Sequence, residues 1–457
     1  MMKNHPIIIM ILYVVAMFMV AIDGTIVNVI LPIIALDFSV FANETNGINI
    51  GYLISIAISL PAAGYLANRF GVKKIFLAAV FCFSLASFLC GIASTLTELI
   101  AARVLQGLAG GIITPISMTL LFRTFSPAER QKLSRTLVLP IAFAPAIGPL
   151  VGGLFAEYMS WHWAFFINIP FGVVVVVLGL LTLNEFELFY ARFDFRGYLY
   201  VALGLPISML TLSLIASEGV TWKVLLFGLI GSALLILFYR YEKRMAEPLL
   251  DVRLYEDRLF CSLSFVAMCS MGALMGMLYL FPLMYQYTYS ASALESSLIV
   301  FTEALGLMVA SRILPKTSKK LGMRTVIQGG LVGTMIVFMS IIALGPTTNP
   351  WILRGLMFCM GIFLGQTVIG SQVSAFNHIT KENMSKATTL YNMVNRVGAA
   401  LGIAIVATFL LLAQQVVESA FAYQIALLGT VGLLLAGFTF TLSLRPNSFS
   451  VSEQKAS

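Results

Sequence analysis

Ionisable side chains stand inside otherwise apolar stretches of this sequence. Asp23 and Glu303 are carboxylates within such stretches, and Arg103 and Arg396 place guanidinium groups in others. A charge in apolar surroundings is costly unless it is paired, and desolvation favours the neutral acid over the carboxylate. A carboxylate in this position can take up and release a proton. Asp23, Glu303 and Arg103 are therefore the candidate residues for proton coupling.

The elements that must position these residues are membrane-spanning helices. Of the 457 residues, 59% are hydrophobic and 11% are charged, and the mean hydropathy is +0.95. This composition excludes a soluble enzyme, a nucleic-acid-binding domain, a secreted disulfide scaffold and a disordered chain. The apolar runs are continuous, which favours a helical bundle over a barrel of alternating strands.

A bilayer core about 30 Å thick needs about 20 apolar residues per helix. The sequence contains fourteen such runs, at about 7–35, 47–67, 75–94, 97–121, 134–156, 164–183, 197–217, 221–240, 260–284, 295–314, 325–344, 351–372, 387–413 and 420–443. The connecting loops are short, so no folded extramembrane domain is predicted. Twelve spans, with 197–240 as a surface hairpin, is the alternative.

The basic residues predict the orientation of the spans. With the N-terminus inside, 24 of the 28 Lys and Arg residues fall in cytoplasmic segments, as the positive-inside rule requires. Both termini are then cytoplasmic. The first apolar run lacks a small-residue cleavage site, so it is predicted to be a span and not a cleaved signal peptide.

Depth along the spans places Asp23 and Arg103 close together. At 1.5 Å per residue, Asp23 lies about 24 Å from the cytoplasmic start of its span and Arg103 about 9 Å from the outer end of its own. They could approach directly or through Gln106 or Asn28, which are candidate cavity residues. Alternatively, Asp23 only orders the kink before Pro32, and Arg103 snorkels to the interface.

In the second half, too, a carboxylate and a guanidinium are predicted to lie at similar depths in the membrane. Glu303 lies about 13 Å into its span, and Arg396 lies at a comparable depth near the midplane. A Glu303–Arg396 pair would neutralise both charges, or Glu303 could face a cavity and attract cationic substrates. Arg396, Tyr279 and Met275 are the candidate cavity residues of this half, although a Met and Tyr stripe is also ordinary packing.

An internal repeat connects the two halves. The turn at 69–73 (RFGVK) recurs at 320–324 (KLGMR), and Arg103 recurs as Arg354, both at a spacing of 251 residues. Duplicated bundles that move about a central site are a transporter architecture, although short basic turns with Gly also arise by chance. The predicted domains are a six-helix bundle over 1–183, a linker with two inserted spans over 184–258, a second six-helix bundle over 259–443 and a cytoplasmic tail over 444–457.

Six motifs, in order, resemble the fourteen-helix drug:proton antiporter family of the major facilitator superfamily. They are IDGTIVNVILP (22–32), GYLANRFGVKK (64–74), RVLQGLAGG (103–111), APAIGPLVGG (144–153), SWHWAFFINIPFG (160–172) and FDFRG (193–197). The sequence departs from the family at Asn68, where Asp is usual, and at His162, where Arg is usual. The resemblance implies an all-α membrane protein with two pseudo-symmetric six-helix bundles and two extra central helices.

The residues of two of these motifs are predicted to take part in the change between conformational states. Small and kinking residues in the fifth span suit a bent helix that slides against its neighbours, although packing alone could also require them; they are Gly148, Pro149, Gly152 and Gly153. The loop after the second span could latch the inward side through carboxylates or helix C-termini. Its candidate residues, which the positive-inside bias alone would also partly explain, are Gly64, Asn68, Arg69, Gly71 and Lys73.

The resemblance implies a bacterial plasma-membrane protein that exports amphiphilic compounds in exchange for protons. Its expected partners are a small amphiphilic substrate, protons and the lipid bilayer, with no nucleic acid, and it is expected to be a monomer. Neither a P-loop nor a Cys or His spacing typical of a metal site occurs in the sequence, so no cofactor is expected. The alternatives are a specific metabolite or siderophore exporter, a proton symporter, and a membrane enzyme or sensor.

Overall fold

The computed structural model is helical over the residues that it describes, which confirms the predicted all-α class for this part of the chain. The described residues are 6–125, 144, 147–185, 193–219, 221–245, 248–344, 348–380, 383–417 and 419–444. Part of the predicted span at 134–156 and nearly all of the predicted tail at 444–457 lie outside them.

The chain forms two compact units, one of residues Met1–Ala202 and Ser292–Leu298, the other of Leu203–Ala291 and Ile299–Ser457. The helices that begin in the first 202 residues are α1 (Pro6–Asp37), α2 (Asn46–Ser59), α3 (Ala62–Phe70), α4 (Val72–Gly91), α5 (Leu96–Thr124), α6 (147–158), α7 (Trp163–Phe166), α8 (Asn168–Thr182) and α9 (Phe195–Glu218). The domain boundaries expected from the sequence stay a prediction.

The remaining helices follow in chain order. They are α10 (Trp222–Glu242), α11 (Arg258–Tyr289), α12 (Ala293–Leu321), α13 (Met323–Leu344), α14 (Pro350–Ala375), α15 (Met384–Gln414), α16 (Ser419–Ala426) and α17 (Leu428–Leu442). The first turn of α12 belongs to the first unit and the rest of that helix to the second.

Local sequence fixes where α5 begins, and thus where Arg103 lies. The Thr95 hydroxyl accepts a hydrogen bond from the Glu98 N–H at 3.2 Å, and the Glu98 carboxylate accepts one from the Ser94 N–H at 2.8 Å. The Thr95 hydroxyl thus caps the first turn, as in a capping box, while the Glu98 carboxylate binds the N–H of the residue before the N-cap. This cap starts α5 at Leu96 and places Arg103 two turns into the helix.

In the described residues, twelve helices are long and apolar enough to cross a membrane. The α2–α3 pair makes a thirteenth span if it is counted as one, and it is bent by 54°. Pro61 stands at this break, where its missing N–H interrupts the helical hydrogen bonds. The helices α9 and α10 are both among the twelve, whereas the count of fourteen and the role of α9 and α10 as an insertion stay predictions.

The two turns of the internal repeat share an unusual backbone conformation. Gly71 joins α3 to α4 with a φ of 105°, and Gly322 joins α12 to α13 with a φ of 82°. Residues with a side chain rarely adopt positive φ, so glycine is needed at both turns. The 251-residue spacing therefore relates two glycines that both have positive φ.

Candidate functional site

Asp23 and Arg103 form a fully buried ion pair in the first unit. Arg103 Nη1 lies 2.6 Å from Asp23 Oδ2, and neither side chain is exposed. The approach that their depths predict is therefore present, and it is direct. Arg103 does not extend to the surface of the protein, and the Asp23 carboxylate contacts side chains of other helices instead of the backbone near Pro32.

The other oxygen of Asp23 receives two amide donors. Gln106 Nε2 and Asn168 Nδ2 each donate to Asp23 Oδ1 at 2.9 Å. Gln106 also accepts from Arg103, since Nη1 of the guanidinium lies 2.7 Å from Gln106 Oε1. The carboxylate thus receives one charged donor and two neutral ones, which together stabilise its charge away from water.

Ser87 on α4 completes this arrangement. Its hydroxyl oxygen accepts from Gln106 Nε2 and from Asn168 Nδ2 at 3.0 Å each, and the hydroxyl donates to the Phe165 carbonyl at 2.8 Å. We refer to Asp23, Ser87, Arg103, Gln106 and Asn168 as the polar network. Its members come from α1, α4, α5 and α8, so it joins four helices.

Aromatic rings enclose the guanidinium of the polar network. The Arg103 Cζ lies 3.9 Å from the centroid of the Tyr52 ring and 5.7 Å from that of Phe165. Arg103 Nε and Nη2 have no hydrogen-bond partner among the described residues, so the ring of Tyr52 is the group that compensates this side of the cation. The rings also keep water from the ion pair, which strengthens its electrostatic attraction.

Asn28 lies on the same helix as Asp23 but does not join the polar network. Its Oδ1 accepts from Asn49 Nδ2 on α2 at 2.7 Å, and both side chains are buried. Its own Nδ2 has no hydrogen-bond partner among the described residues. Of the two residues that could mediate the contact of Asp23 with Arg103, Gln106 therefore does so and Asn28 does not.

The small residues of α6 pack against the helix that carries Asp23. A Cβ on Gly148 would meet Thr25 and the Ile22 carbonyl, and a Cβ on Gly152 would meet the Ile26 carbonyl. Pro149, between them, is buried. Their lack of a side chain lets the backbones of α6 and α1 approach closely beside Asp23.

Gly153 faces another neighbour. A Cβ there would meet Ser297 Oγ and the Ala293 carbonyl in the first turn of α12. The glycines of α6 thus serve two contacts within the first unit, one with α1 and one with α12.

The turn after α3 makes reciprocal contacts with the end of α8. The Glu185 carboxylate accepts from the N–H groups of Lys73 and Lys74 at 2.9 and 3.2 Å. In return, the Lys73 ammonium donates to the carbonyls of Leu180 and Leu183. A carboxylate at a helix N-terminus and a cation at a helix C-terminus are both favoured by the helix dipoles.

These contacts contain the two kinds of partner that the sequence predicts for this loop, a carboxylate and a helix C-terminus. Of the remaining loop residues, Gly64 and Arg69 are exposed, and Asn68 is partly buried. Whether the loop acts as a latch stays a prediction.

Glu303 in the second unit is buried and forms no ion pair with the residues that the structure describes. Its Oε1 has no hydrogen-bond partner among them. Of the two alternatives for Glu303, the pair with Arg396 is therefore not formed in this conformation, and a role at a cavity stays a prediction. Depth along a helix does not determine which side of the helix a residue occupies, so matched depth alone does not establish a contact. Of the other candidates, Tyr279 is fully buried, and Met275 and Arg396 are partly buried.

Asn168, Ser87 and Tyr52 are site residues that sequence reasoning missed. Asn168 lies within the motif at 160–172, so its position in that motif was a usable signal. Ser87 and Tyr52 carry no such signal, because single Ser and Tyr residues are common in membrane helices and only the fold brings these two to Arg103 and Gln106.

The fold and the polar network define a multi-pass membrane protein of the transporter class, with its polar chemistry buried between helices. The chain belongs to the Major Facilitator Superfamily, whose family model matches residues 13–403. It is therefore a transporter and not an enzyme. Two bacterial relatives, each named as a multidrug resistance protein, MdtD, match 85% of this chain over 83% of their own length. The protein of Citrobacter koseri is 31% identical over 403 residues, and that of Cronobacter sakazakii is 30% identical over 394.

Solved structures agree on the fold. An auto-inhibited peptide transporter of the POT family has a TM-score of 0.72 and covers 98% of each chain at 13% sequence identity. The nucleoside transporter NupG has a TM-score of 0.65 at 13% identity and covers 96% of this chain and all of its own. At this level of identity the likeness concerns the fold alone.

Proposed function

We propose that the protein exports small amphiphilic compounds across a bacterial plasma membrane in exchange for protons, by alternating access. The observation that carries the proposal is the buried Asp23–Arg103 ion pair, whose carboxylate also receives two amide donors. The names of the MdtD relatives support multidrug substrates. The proton gradient supplies the energy, so no cofactor or metal is required.

The ion pair gives a physical reason for coupling. A proton on Asp23 removes the charge that balances Arg103 and leaves a buried cation without a counter-ion, which costs about 3–5 kcal/mol. A conformation that offers Arg103 water or another counter-charge becomes favoured once Asp23 is protonated. The proton thereby shifts the equilibrium between the two access states, as any ligand with different affinity for two states does.

The packing of α6 supplies a route for this change. Gly148 and Gly152 lie against the α1 backbone beside Asp23, and Gly153 lies against the first turn of α12. A shift of α1 that accompanies protonation must move α6, because the close backbone contact leaves no gap to absorb it. The contact of Glu185 with the turn at Gly71 and Lys73 then stabilises one of the two states.

In the second unit, Glu303 is a second group that could bind a proton or a cationic substrate. A buried carboxylate whose Oε1 has no hydrogen-bond partner among the described residues gains most from a cation that reaches it. Arg396, Tyr279 and Met275 are the proposed cavity residues of this unit, and Asn28 and Gln106 those of the first.

The proposed topology has fourteen spans and two cytoplasmic termini, with α9 and α10 inserted between two six-helix halves. The support is the distribution of Lys and Arg along the sequence and the length and hydropathy of α9 and α10. The protein is proposed to act as a monomer in the bilayer.

The experiment that tests the function uses the purified protein in liposomes with an imposed pH gradient and ethidium as the transported cation. Asp23→Asn keeps the shape of the side chain but cannot titrate, so we expect folded protein whose gradient-driven transport is lost. Exchange of ethidium without a pH gradient should persist.

Asp37→Asn is the matched control, because Asp37 lies on the same helix and accepts a hydrogen bond from Trp161 at 3.0 Å. We expect it to transport at close to the wild-type rate. If Asp23→Asn still concentrated ethidium with wild-type pH dependence, the proposal that Asp23 carries the proton would be wrong.

A further inference from the structure

Two amides face the same oxygen of Asp23, and they differ in their freedom to turn. Gln106 Nε2 and Asn168 Nδ2 each lie 2.9 Å from Asp23 Oδ1 and 3.0 Å from Ser87 Oγ. As donors they are equivalent. Their carbonyl oxygens, however, stand in different surroundings.

The orientation of the Gln106 amide is fixed by Arg103. Gln106 Oε1 accepts from Arg103 Nη1 at 2.7 Å and from the Cys90 thiol at 3.7 Å. A guanidinium only donates, so a Gln106 amide turned by 180° would place its NH₂ group against an N–H of Arg103. Gln106 is therefore a donor to Asp23 in either protonation state.

The Asn168 amide has no comparable constraint. Its Oδ1 is buried and has no hydrogen-bond partner among the described residues. Turning the amide therefore breaks no hydrogen bond of its carbonyl, and Oδ1 then accepts from the two groups to which Nδ2 now donates, Asp23 Oδ1 and Ser87 Oγ. The cost that these two bonds must offset is the transfer of the NH₂ group to the buried position that Oδ1 now holds. Ser87 suits both orientations, since a hydroxyl can accept from Nδ2 or donate to Oδ1.

Protonation of Asp23 creates a need for such a turn. Oδ2 faces the guanidinium at 2.6 Å, which leaves Oδ1 as the oxygen that can bind the proton. In the present arrangement the new O–H would point at the donor groups of Gln106 and Asn168, without an acceptor. Leaving a buried donor unsatisfied is costly, and of the two amides on Oδ1 in the described structure, Asn168 is the one that can supply an acceptor by turning.

We propose that Asn168 is a positioning residue whose side-chain amide turns with the proton on Asp23, an inference that rests on Asp23 being the proton carrier. Its Nδ2 donates to the carboxylate, and after the turn its Oδ1 accepts from the acid. The proton binds Asp23 Oδ1, no covalent bond of Asn168 changes, and the Ser87 hydroxyl turns from the Phe165 carbonyl toward Asn168 Oδ1.

The test is protonation-difference infrared spectroscopy of the full-length protein in liposomes, with isotope-labelled asparagine. We expect the carbonyl band of a protonated carboxylic acid together with a change in an asparagine side-chain amide band. Asn168→Leu should remove the amide change and shift the acid band. Gln106→Leu, which removes the other amide on the same oxygen, should keep the amide change.

A change in the asparagine band that persists in Asn168→Leu, or an acid band without any asparagine change in the wild type, would overturn the inference. Should Asn168→Leu fail to fold, Asn168→Ser takes its place, because a hydroxyl can both donate and accept. It too should lose the amide change. In gradient-driven ethidium transport we expect a loss of about tenfold or more for Asn168→Leu, the scale of a lost hydrogen bond to a charged group, and a smaller loss for Asn168→Ser.

Asp23→Asn separates failure of this inference from failure of the proposed function. If the full acid band persists in Asp23→Asn, the proton binds elsewhere, and the roles proposed for Asp23 and for Asn168 are both wrong. If the acid band is lost in Asp23→Asn but the wild type shows no asparagine change, Asp23 carries the proton and Asn168 does not turn with it.

Discussion

The two units hold their deep carboxylates in opposite ways. Asp23 pairs with a guanidinium and receives two amide donors, whereas Glu303 forms no ion pair among the described residues and its Oε1 has no hydrogen-bond partner. Both side chains are almost completely buried. A charge on Asp23 is compensated in this conformation, and a charge on Glu303 would not be. Burial alone therefore does not indicate how a membrane carboxylate behaves, because the donors around it decide which protonation state the fold tolerates.

The predicted repeat relates each position in the first half to one in the second half, so the residues at corresponding positions can be compared. At the 251-residue spacing, Gly71 corresponds to Gly322, and both have positive φ. Three members of the polar network correspond to buried apolar residues: Asp23 to Leu274, Ser87 to Phe338 and Gln106 to Met357. A glycine with positive φ is thus present at both positions, whereas three polar residues of the network correspond to apolar residues at this spacing.

Arg103 and its counterpart at this spacing illustrate the divergence most directly. Both are Arg, but the guanidinium of Arg354 stacks 4.5 Å from the ring of Trp351, which is largely exposed. Arg103 instead stacks on Tyr52 and pairs with Asp23. The same residue type is therefore a buried counter-ion in one half and lies beside an exposed aromatic ring in the other.

The largest expected effect on stability is that of replacing Arg103, and it tests whether the ion pair distinguishes the two units. Arg103→Met leaves Asp23 buried without its counter-charge, and we expect a loss of about 3–5 kcal/mol in the free energy of unfolding. Equilibrium unfolding in detergent measures it. The double variant Asp23→Leu/Arg103→Met should recover most of this loss, since no unpaired charge remains. Equal destabilisation of the single and double variants would show that lost packing, and not the uncompensated charge, causes the effect.

The second effect compares the two glycine turns. Gly71→Ala forces a side chain into a backbone conformation with φ 105° and ψ 141°, which costs about 1–3 kcal/mol, and its Cβ would also collide with the Glu185 carboxylate. Gly322→Ala also places a side chain at positive φ, but nothing among the described residues lies within 4 Å of its Cβ. We expect Gly71→Ala to lower the melting temperature more than Gly322→Ala does. Adding Glu185→Ala should not rescue Gly322→Ala, and equal melting temperatures for the two single variants would contradict this account.

The sequence predicts the positions of the spans better than it predicts their bends. Hydropathy locates most of the described spans to within about five residues, as for the span expected at 7–35 and found as Pro6–Asp37, because about 20 apolar residues are needed to cross a bilayer. The largest difference is at α12, which is predicted to end near 314 and ends at Leu321. Hydropathy does not predict the bend between α2 and α3, because Pro61 and its neighbours are as apolar as the rest of the span. The span at 134–156 stays a prediction.

For the site residues, the sequence predicts only how deep each one lies along its own helix. Residues at matched depth are in contact in the case of Asp23 and Arg103 but not in the case of Glu303 and Arg396, because depth does not reveal which face of a helix a residue occupies. Gln106 was found because it lies one turn from Arg103 on the same helix. Asn168 and Ser87 needed the packing of α4 and α8 around α1, which the sequence of any one helix does not contain.

A third prediction sharpens the contrast at Glu303. Glu303→Gln removes a carboxylate that forms no ion pair among the described residues, so we expect the free energy of unfolding to change by less than about 1 kcal/mol. Transport should respond selectively. If Glu303 attracts cations, Glu303→Gln weakens ethidium transport more than transport of an uncharged amphiphile, measured in the same liposomes. An equal loss for both substrates would argue against a cation site.

The smallest effect belongs to an ion pair at the edge of the second unit, which contrasts with the buried pair of the first. Asp251, in the segment between α10 and α11, accepts from Arg253 Nε at 2.7 Å and Nη2 at 3.1 Å, and Lys386 Nζ lies 3.6 Å away. The hydrogen bonds from Arg253, aided by the charges of Arg253 and Lys386, hold the pKa of Asp251 below its usual value of 3.8. Both cations are about half exposed, so solvent and salt screen the interaction.

We therefore expect Asp251→Asn to cost about 0.5 kcal/mol at neutral pH, far less than Arg103→Met. Because the pKa of Asp251 is lower in the folded protein than in the unfolded chain, its stabilisation is fully present above pH ~4 and is lost as the pH falls through the folded pKa. Unfolding of wild type and Asp251→Asn should thus differ at pH 7 and converge as the medium is acidified below pH ~4. Added salt should reduce the difference at pH 7. A difference that survived both acid and salt would mean that Asp251 contributes by packing, and a loss as large as that of Arg103→Met would remove the contrast between the two ion pairs.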